Sequence, residues 1–155
     1  MPKHEIARRA VLAGIGGSAF ALPASAASPA VTVHLDPGCG CCGAYVEHLR
    51  RARFAVQVER HADLAPIKAR GRVPADLEAC HTTFVDGYAI EGHVPAAAIR
   101  RLLAERPAAR GIAVPGMPAG SPGMEGGTPE AYTVYLFRDD GSRSEWMRFL
   151  GQTPV

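Results

Sequence analysis

The residues of this chain that suggest chemistry are concentrated in one segment, "DPGCGCCGAYVEHLRR" (residues 36–51), which holds three of the four cysteines. Cys39 and Cys42 form a C-x-x-C pair between a predicted strand and a predicted helix. The unpaired N–H groups and positive dipole end of a helix N-terminus stabilise a thiolate, so this position is typical of a reactive dithiol. Cys41 is a further thiol that a dithiol does not need. Clustered sulfurs at one helix start suit a soft metal ion better.

The fourth cysteine, Cys80, lies far downstream and is followed by His81. When "CHTTFVDG" is aligned with the corresponding strand of glutaredoxin-type proteins, His81 takes the position of their cis-proline, which lies against the C-x-x-C pair. This alignment predicts that Cys80 and His81 face the other cysteines across the end of the sheet. A separation well over ~10 Å between the Cys80 sulfur and the other three would refute the prediction.

Three further residues are candidate metal ligands. His93, in "EGHVP", precedes a predicted helix, and its ring can point toward the cysteines or make a capping hydrogen bond. Met117 and Met124 lie in "PGMPAGSPGME"; thioethers are soft, neutral ligands that prefer Cu(I). The alternative is that this segment folds back and buries both methionines as apolar side chains. The other histidines of the later chain are predicted to be surface or structural residues: His34, His48 and His61.

Other interpretations of the cysteines are open. The even cysteine count of an exported protein favours structural disulfides, but pairing Cys39 with Cys41 or Cys42 closes a very small loop that constrains little. Zinc binds four cysteines, or three cysteines and a histidine, although C-x-C-C crowds such ligands. A metal-free thiol–disulfide oxidoreductase would use Cys39 and Cys42 and would need neither Cys41 nor the methionines. Hydrolytic and phosphoryl-transfer chemistry have no supporting motif.

The pattern along the chain predicts an α/β fold. Alternating apolar residues predict strands, and apolar residues at helical spacing predict helices. The predicted elements are a strand at 31–35, a helix from Ala44, a strand at 54–59, a short helix from a cap at Asp63 to Ala69, a hairpin turning at Asp86-Gly87, a helix within 95–107, a strand at 132–137 and a short strand at 144–150. This order is that of a thioredoxin-like fold: a central mixed β-sheet flanked by helices, with a right-handed crossover.

Residues 111–129, "GIAVPGMPAGSPGMEGGTP", interrupt this succession of strands and helices. Ten of the nineteen are glycine or proline, so neither helix nor strand is expected there. A loop this long within a compact domain is usually functional or disordered. We expect this Gly/Pro/Met-rich loop to act as a lid that excludes water and oxidants from the cysteine site.

Residues 1–26 resemble an export signal. They have a charged start, a mildly apolar middle and a small-residue end, and Ala24-Ser25-Ala26 fits a signal-peptidase site. Arg8-Arg9 also resembles a twin-arginine signal, which directs export of folded proteins. Residues 27–155 are then expected to form a single periplasmic domain.

Composition and net charge argue against two classes of function, nucleic-acid binding and stable membrane insertion. The chain has 155 residues, 47% of them hydrophobic and 21% charged, as in a globular domain with a packed core. Its formal net charge of +2 falls to 0 without the predicted signal, whose charged residues are Lys3, Glu5, Arg8 and Arg9. Binding to nucleic acid is therefore not expected. Stable membrane insertion is not expected either, because the apolar stretch of the signal is short and interrupted by glycines.

Four motifs in this order resemble the CopG-type copper-resistance proteins, long catalogued as a domain of unknown function: "CGCC", "ACHTTFVDGY", "IEGHVPAAAIRRLL" and "VPGMPAGSPGME". The resemblance covers roughly residues 30–150. It implies a periplasmic, thioredoxin-like copper protein whose cysteines hold a Cu(I) cluster, with a redox role in copper detoxification. Carried over to this sequence, the family's thiols are Cys39, Cys41, Cys42 and Cys80, and its glycine-methionine-proline loop is 116–125.

The sequence thus predicts a periplasmic protein that sequesters Cu(I), as one ion or as a multinuclear cluster. The predicted partners are copper ions and other periplasmic copper-handling proteins. The alternatives are the oxidoreductase, whose catalytic residues would be Cys39 and Cys42, and a zinc-stabilised module that unfolds in chelator. The predicted metal ligands are Cys39, Cys41, Cys42, Cys80, His81, His93, Met117 and Met124.

Overall fold

The computed structural model of the chain describes residues 28–155. The predicted export signal lies outside the described residues. The elements are β1 (Ala30–Leu35), α1 (Gly40–Arg51), β2 (Ala55–Arg60), α2 (Ala65–Gly71), a 3₁₀ turn (Ala75–Leu77), β3 (His81–Val85), β4 (Tyr88–Glu91), α3 (Ala96–Glu105), β5 (Gly111–Ala113), β6 (Ala131–Phe137), β7 (Arg143–Leu150) and β8 (Thr153–Pro154).

These strands join one mixed sheet in the order β2-β1-β3-β4-β5-β6-β7-β8. The pairs β1–β2 and β4–β5 are parallel and are connected through α1 and α3, whereas the other pairs are antiparallel. The predicted α/β class with a central mixed sheet is confirmed, and the elements from β1 to α3 follow the predicted order. The assignment to the thioredoxin-like fold rests on that order of elements and stays a prediction.

Helical segments cover both faces of the sheet. On one face, Leu49 of α1 and Ile99 of α3 pack in a core with Ile90 of β4. On the other face, Leu77 packs against Ala89 of the same strand, since successive strand residues point to opposite faces. Within residues 28–155, each helix is too short or too polar to cross a membrane.

Helix α1 begins at Gly40, so the predicted start at Ala44 is late. The buried face of the helix starts one turn earlier than the sequence pattern indicated, because a cysteine is part of the apolar stripe. Its buried residues follow helical spacing: Cys42, Tyr45, Val46 and Leu49. The burial of this face therefore places the first turn, with its thiols, at the edge of the core.

The hairpin predicted at Asp86-Gly87 is confirmed. The two residues have positive φ angles of 51° and 87°, which is the conformation that a two-residue type I′ turn requires. The turn fixes the register of β3 against β4, in which Thr82 lies opposite Glu91. This register places Glu91 next to the strand that carries His81.

The prediction that residues 111–129 contain no strand is wrong at their start, where Gly111–Ala113 forms β5. This strand pairs with both β4 and β6. Only glycine fits at its first position, because a Cβ on Gly111 would lie 1.8 Å from the carbonyl oxygen of Ala89. Close backbone approach therefore outweighs the low strand propensity of glycine. The rest of the segment is a loop, as predicted.

We expect Gly111→Ala to destabilise the fold by about 3 kcal/mol or more, because the added methyl group would overlap the Ala89 carbonyl group and the Phe137 ring. Gly43→Ala is the matched control, since a Cβ there meets no atom within 4 Å on the exposed side of α1. It should stabilise by up to about 1 kcal/mol. Urea denaturation followed by circular dichroism measures both changes. Equal stabilities would contradict the packing of β5.

Candidate metal centre

The four cysteine sulfurs lie together at one end of the sheet. Strand β1 leads into α1, and β3 runs antiparallel to β1 with His81 opposite Leu35. This pairing brings Cys80 to the start of α1, where its Sγ atom is 3.7 Å from that of Cys41 and 3.8 Å from that of Cys42. The four Sγ atoms lie within 4.8 Å of one another. The prediction that Cys80 faces the other cysteines is confirmed.

Cys39 and Cys42 are joined by a disulfide bond, with their Cα atoms 5.6 Å apart. Cys41 and Cys80 are free, partly buried thiols. The Sγ atom of Cys41 is 3.5 Å from that of Cys39. The described residues therefore contain the oxidised form of the C-x-x-C pair with two thiols beside it, rather than a framework that pairs all four cysteines.

The N-terminus of α1 gives the cysteines a favourable electrostatic setting. Cys39 immediately precedes the helix, and its backbone N–H donates to the carbonyl oxygen of Asp36 at 3.0 Å. The backbone N–H of Gly38 donates to the Asp36 side chain at 2.6 Å, which tightens the same turn. The first turn of α1 contains no acidic residue. Its positive dipole end is therefore available to stabilise thiolates.

His81 is fully buried and faces the sulfurs. Its Nδ1 atom is 3.3 Å from the Sγ atom of Cys80 and 3.5 Å from that of Cys42. Its Nε2 atom has no hydrogen-bond partner among the described residues, and the ring of Tyr45 packs with its centroid 4.2 Å away. Burial, followed by smaller effects of the neighbouring His93 ring and of Lys68, lowers the pKa of His81 to about 3. The ring is therefore neutral, as a metal-binding imidazole must be.

His93 also faces the cysteine cluster and shares one sulfur contact, that of Cys80, with His81. Its Nε2 atom is 3.4 Å from the Sγ atom of Cys80 and 3.7 Å from that of Cys41. Its Nδ1 atom is 2.8 Å from the carbonyl oxygen of Pro122, which can only accept a hydrogen bond. Nδ1 therefore carries the hydrogen, and the Nε2 lone pair faces the cysteines. Burial lowers the pKa of His93, which keeps this ring neutral as well.

The Gly/Pro/Met-rich loop covers part of the site. A Cβ on Gly123 would lie 2.9 Å from the carbonyl oxygen of Cys41 and 3.0 Å from the backbone nitrogen of Tyr45. The loop backbone is thus in contact with the first turns of α1, and Gly123, with φ of +88°, is the residue that permits this approach. This contact agrees with the predicted position of the loop over the cysteines.

The two loop methionines are placed differently. Met117 is 57% exposed and borders an open cavity of about 550 Å³ that is also lined by Cys39, Cys41 and Cys80. Met124 is partly buried and is not among the lining residues of that cavity. The structure therefore brings one predicted thioether, that of Met117, to the mouth of the site.

The pKa of the Cys80 thiol lies far above the ordinary value for cysteine. Burial, followed by the neighbouring Cys41, raises the pKa of Cys80 to about 12. The group is therefore a protonated thiol at neutral pH. A metal ion that binds Cys80 must displace this proton.

A buried ion pair, which the sequence analysis missed, holds the backbone around the site residues of β3. Lys68 and Glu91 are buried and hydrogen-bonded to each other. Glu91 accepts the backbone N–H of Ala79 at 2.7 Å and the Thr82 hydroxyl at 2.6 Å, and Lys68 donates to the Ala79 carbonyl oxygen at 2.8 Å. Ala79 and Thr82 flank the cysteine and histidine of the site. No sequence motif signals this pair, because each charge lies on a short element where exposure is the usual outcome.

The other histidines have structural contacts. Nε2 of His34 is 3.0 Å from the guanidinium group of Arg70, which only donates, and Nδ1 is 2.9 Å from Nε2 of His61 and 3.3 Å from a carboxylate oxygen of Glu59. Both ring nitrogens of His34 therefore have polar partners within the protein, although the donor atoms of His34, Glu59 and His61 also lie within 4.8 Å of one another. Nε2 of His48 accepts the first backbone N–H of α3 at 3.0 Å.

The chain is similar to proteins of one family. A family profile described as a protein of unknown function, DUF411, matches residues 77–124. Two solved structures, forms 1 and 2 of the copper resistance protein CopG, are 43% identical to the chain. Form 1 has a TM-score of 0.75 over 80% of this chain and 99% of its own; form 2 has 0.74 over 79% and 98%. No curated protein matches the chain.

The raised pKa of Cys80 predicts slow alkylation in the metal-free protein. At about pH 8, iodoacetamide should modify Cys80 at least about tenfold more slowly than in the urea-unfolded chain, because only the thiolate reacts. Between about pH 8 and 10 the folded-state rate should still rise, whereas the unfolded-state rate levels off near the ordinary thiol pKa of about 8.5. Peptide mass spectrometry measures both rates, and equal rates at about pH 8 would be inconsistent with the burial of this thiol.

The Lys68–Glu91 pair predicts a double-mutant result. Glu91→Gln should destabilise the fold by about 3 kcal/mol, because it leaves the buried Lys68 ammonium group without its counter-ion. Adding Lys68→Met removes both charges and should recover most of this loss. Urea denaturation measures the two variants, and a Glu91→Gln change below about 0.5 kcal/mol would mean that the pair is not a buried ion pair.

The variant with both Glu91→Gln and Lys68→Met also shows whether the ion pair positions Cys80 or only stabilises the fold. In the disulfide form, a trivalent arsenical can bridge Cys41 and Cys80, whose sulfurs are 3.7 Å apart. We expect weaker bridging in the double variant, since the backbone beside Cys80 has lost hydrogen bonds with Lys68 and Glu91. Unchanged bridging would show that the pair contributes only stability.

Proposed function

Because the chain belongs to the CopG copper-resistance family, we propose that it binds Cu(I) for copper resistance and that the cysteine cluster is its binding site. The observation that supports this most is the convergence of four Sγ atoms within 4.8 Å at the start of α1. Thiolate sulfur is a soft donor that favours Cu(I). Four sulfurs with two neutral imidazoles provide more donors than a single Cu(I) ion uses. The proposed cargo is therefore a group of Cu(I) ions bridged by thiolates.

The donors have different roles in this proposal. The thiolates supply negative charge that balances the copper ions, and the imidazoles add neutral donors from buried positions. Met117, exposed at the mouth of the cavity, is the proposed entry ligand that copper meets first. Met124 stays a predicted ligand. The proposed inner ligands are Cys39, Cys41, Cys42, Cys80, His81 through Nδ1 and His93 through Nε2.

The loop and the helix shape the chemistry of these donors. Contact of Gly123 with the start of α1 limits the access of water and oxidants on that side. The helix N-terminus stabilises the thiolates that form when copper displaces their protons. We propose that affinity for copper rises with pH because Cys80 must lose its proton on binding.

A second function is favoured by one observation, the Cys39–Cys42 disulfide at the helix start. A thiol–disulfide oxidoreductase would pass two electrons and two protons between this bond and a substrate dithiol. Such an enzyme would make no use of Cys41. We therefore place this function second to copper binding.

The proposed location is the periplasm. This proposal rests on the export-signal pattern of residues 1–26 and on the family, and it fits a site whose cysteines can be oxidised or reduced. The proposed partners are proteins that deliver or accept periplasmic copper. The formal net charge of 0 after the signal provides no basic field for nucleic acid.

The copper proposal is tested by elemental analysis of protein purified anaerobically from copper-supplemented cells. The wild type should carry several copper ions per chain, and Cys41→Ser should lose most of them, because Cys41 lies beside both Cys39 and Cys80. Ala44→Ser is the matched control, since it places the same side chain on the exposed side of α1. It should keep the wild-type copper content.

Each other outcome identifies a different function. Zinc in place of copper would favour the structural zinc module. No bound metal, with disulfide exchange that is equally fast in wild type and Cys41→Ser, would favour the oxidoreductase. Copper retained in full by Cys41→Ser would contradict the proposed site.

A further inference from the structure

The disulfide bond divides the cysteines of the site into two groups. Cys39 and Cys42 are bonded to each other, and Nδ1 of His81 lies between the groups, 3.5 Å from the Sγ atom of Cys42 and 3.3 Å from that of Cys80. Cys41 and Cys80 remain free, and His93 directs Nε2 toward both. Oxidation of the C-x-x-C pair therefore removes two thiolates and leaves two thiols with one imidazole, that of His93, in contact with both of them.

These three remaining donors are already at metal-binding separations. The edges of their triangle are 3.7 Å between the sulfurs of Cys41 and Cys80, and 3.7 Å and 3.4 Å from these sulfurs to Nε2 of His93. An ion bonded to sulfur at about 2.3 Å and to nitrogen at about 2.0 Å separates its donors by about 3.5–4.0 Å. The triangle thus needs almost no rearrangement to bind an ion at its centre.

The orientation of the imidazole is fixed independently of any ion. The Pro122 carbonyl oxygen accepts the Nδ1 hydrogen of His93 at 2.8 Å, so the lone pair of Nε2 faces the sulfurs. The carbonyl group is held in place because Gly123, the next residue, packs against the first turns of α1. The loop therefore serves the site by setting the tautomer of one donor.

The donor set selects for one kind of ion. Two thiolates and one neutral imidazole are soft to intermediate ligands, which suit Cu(I). Structural zinc is almost always four-coordinate, whereas the two thiols and the imidazole that contacts both of them supply three ligands. A monovalent ion that accepts few ligands fits this set better.

We propose that, in the disulfide form, Cys41, Cys80 and His93 bind one Cu(I) ion, and that reduction of the Cys39–Cys42 bond then enlarges the site. This inference rests on the proposed copper function and adds a redox control of capacity to it. The chain then has two copper-binding states rather than one loaded and one empty state. A first ion is retained when the pair is oxidised.

The enlargement step is a two-electron reduction by a dithiol. The dithiol forms its own disulfide and supplies two electrons and two protons, the Cys39–Cys42 sulfur–sulfur bond breaks, and two thiols result. Binding of further Cu(I) releases these two protons as the thiols become thiolates. No change in the oxidation state of the first copper ion is involved.

The test is an anaerobic Cu(I) titration of the purified disulfide form against bathocuproine disulfonate as a competing chelator. The disulfide form should bind one Cu(I) per chain, and X-ray absorption should show two sulfur scatterers and one nitrogen scatterer. After reduction with dithiothreitol and removal of the reductant, the capacity should rise to several ions. Peptide mapping of the copper-loaded disulfide form should show that the disulfide bond still joins Cys39 to Cys42.

Variants assign the nitrogen donor. His93→Ala should bind the first Cu(I) at least about tenfold more weakly and lose the nitrogen scatterer. His61→Ala, which removes a histidine outside the cysteine site, should leave both unchanged. The wild-type stoichiometry and scatterers test the inference even if His93→Ala fails to fold.

The outcomes separate this inference from the proposed function. No Cu(I) bound by the disulfide form, with several ions bound after reduction, overturns the inference and leaves the copper function standing. No Cu(I) bound by either form overturns both. A bound ion without a nitrogen scatterer, or with a shuffled disulfide, also overturns the inference.

Discussion

The antiparallel pairing of β3 with β1 is the constraint on which the site depends. It places His81 opposite Leu35, the last residue of β1, and so brings the preceding Cys80 to the start of α1. A one-residue slip would turn the His81 ring to the other face of the sheet. The core under α1 packs against β1 and β3 and holds this register, and the Asp86-Gly87 turn fixes the next pairing, that of β3 with β4.

Burial then sets the protonation of the donors. It lowers the pKa of both site histidines and raises that of Cys80, so the metal-free site holds neutral groups in a setting where free charges are costly. The buried charges of Lys68 and Glu91 are paired and lie beside the same strand. A copper ion that replaces thiol protons can thus bind without leaving an unbalanced charge in the core, because the thiolates that form balance its positive charge.

Local patterns predicted much of this fold, and tertiary contacts account for the parts that were missed. The Asp-Gly dipeptide and the alternating strands have strong local signals, so the hairpin and the element order were predictable. Strand β5 was not, because Gly111 is selected by close contact with Ala89. Cys80 was placed correctly by alignment, whereas the roles of Pro122 and the Lys68–Glu91 pair depend on contacts that no motif encodes.

The most direct test of the central claim is a crystal structure of the reduced, copper-loaded protein with anomalous diffraction recorded on both sides of the copper absorption edge. The account predicts copper peaks enclosed by the four cysteine sulfurs, with Nδ1 of His81 and Nε2 of His93 at bonding distance. Copper peaks at the His34–His61 pair instead, or none beside the cysteines, would contradict it.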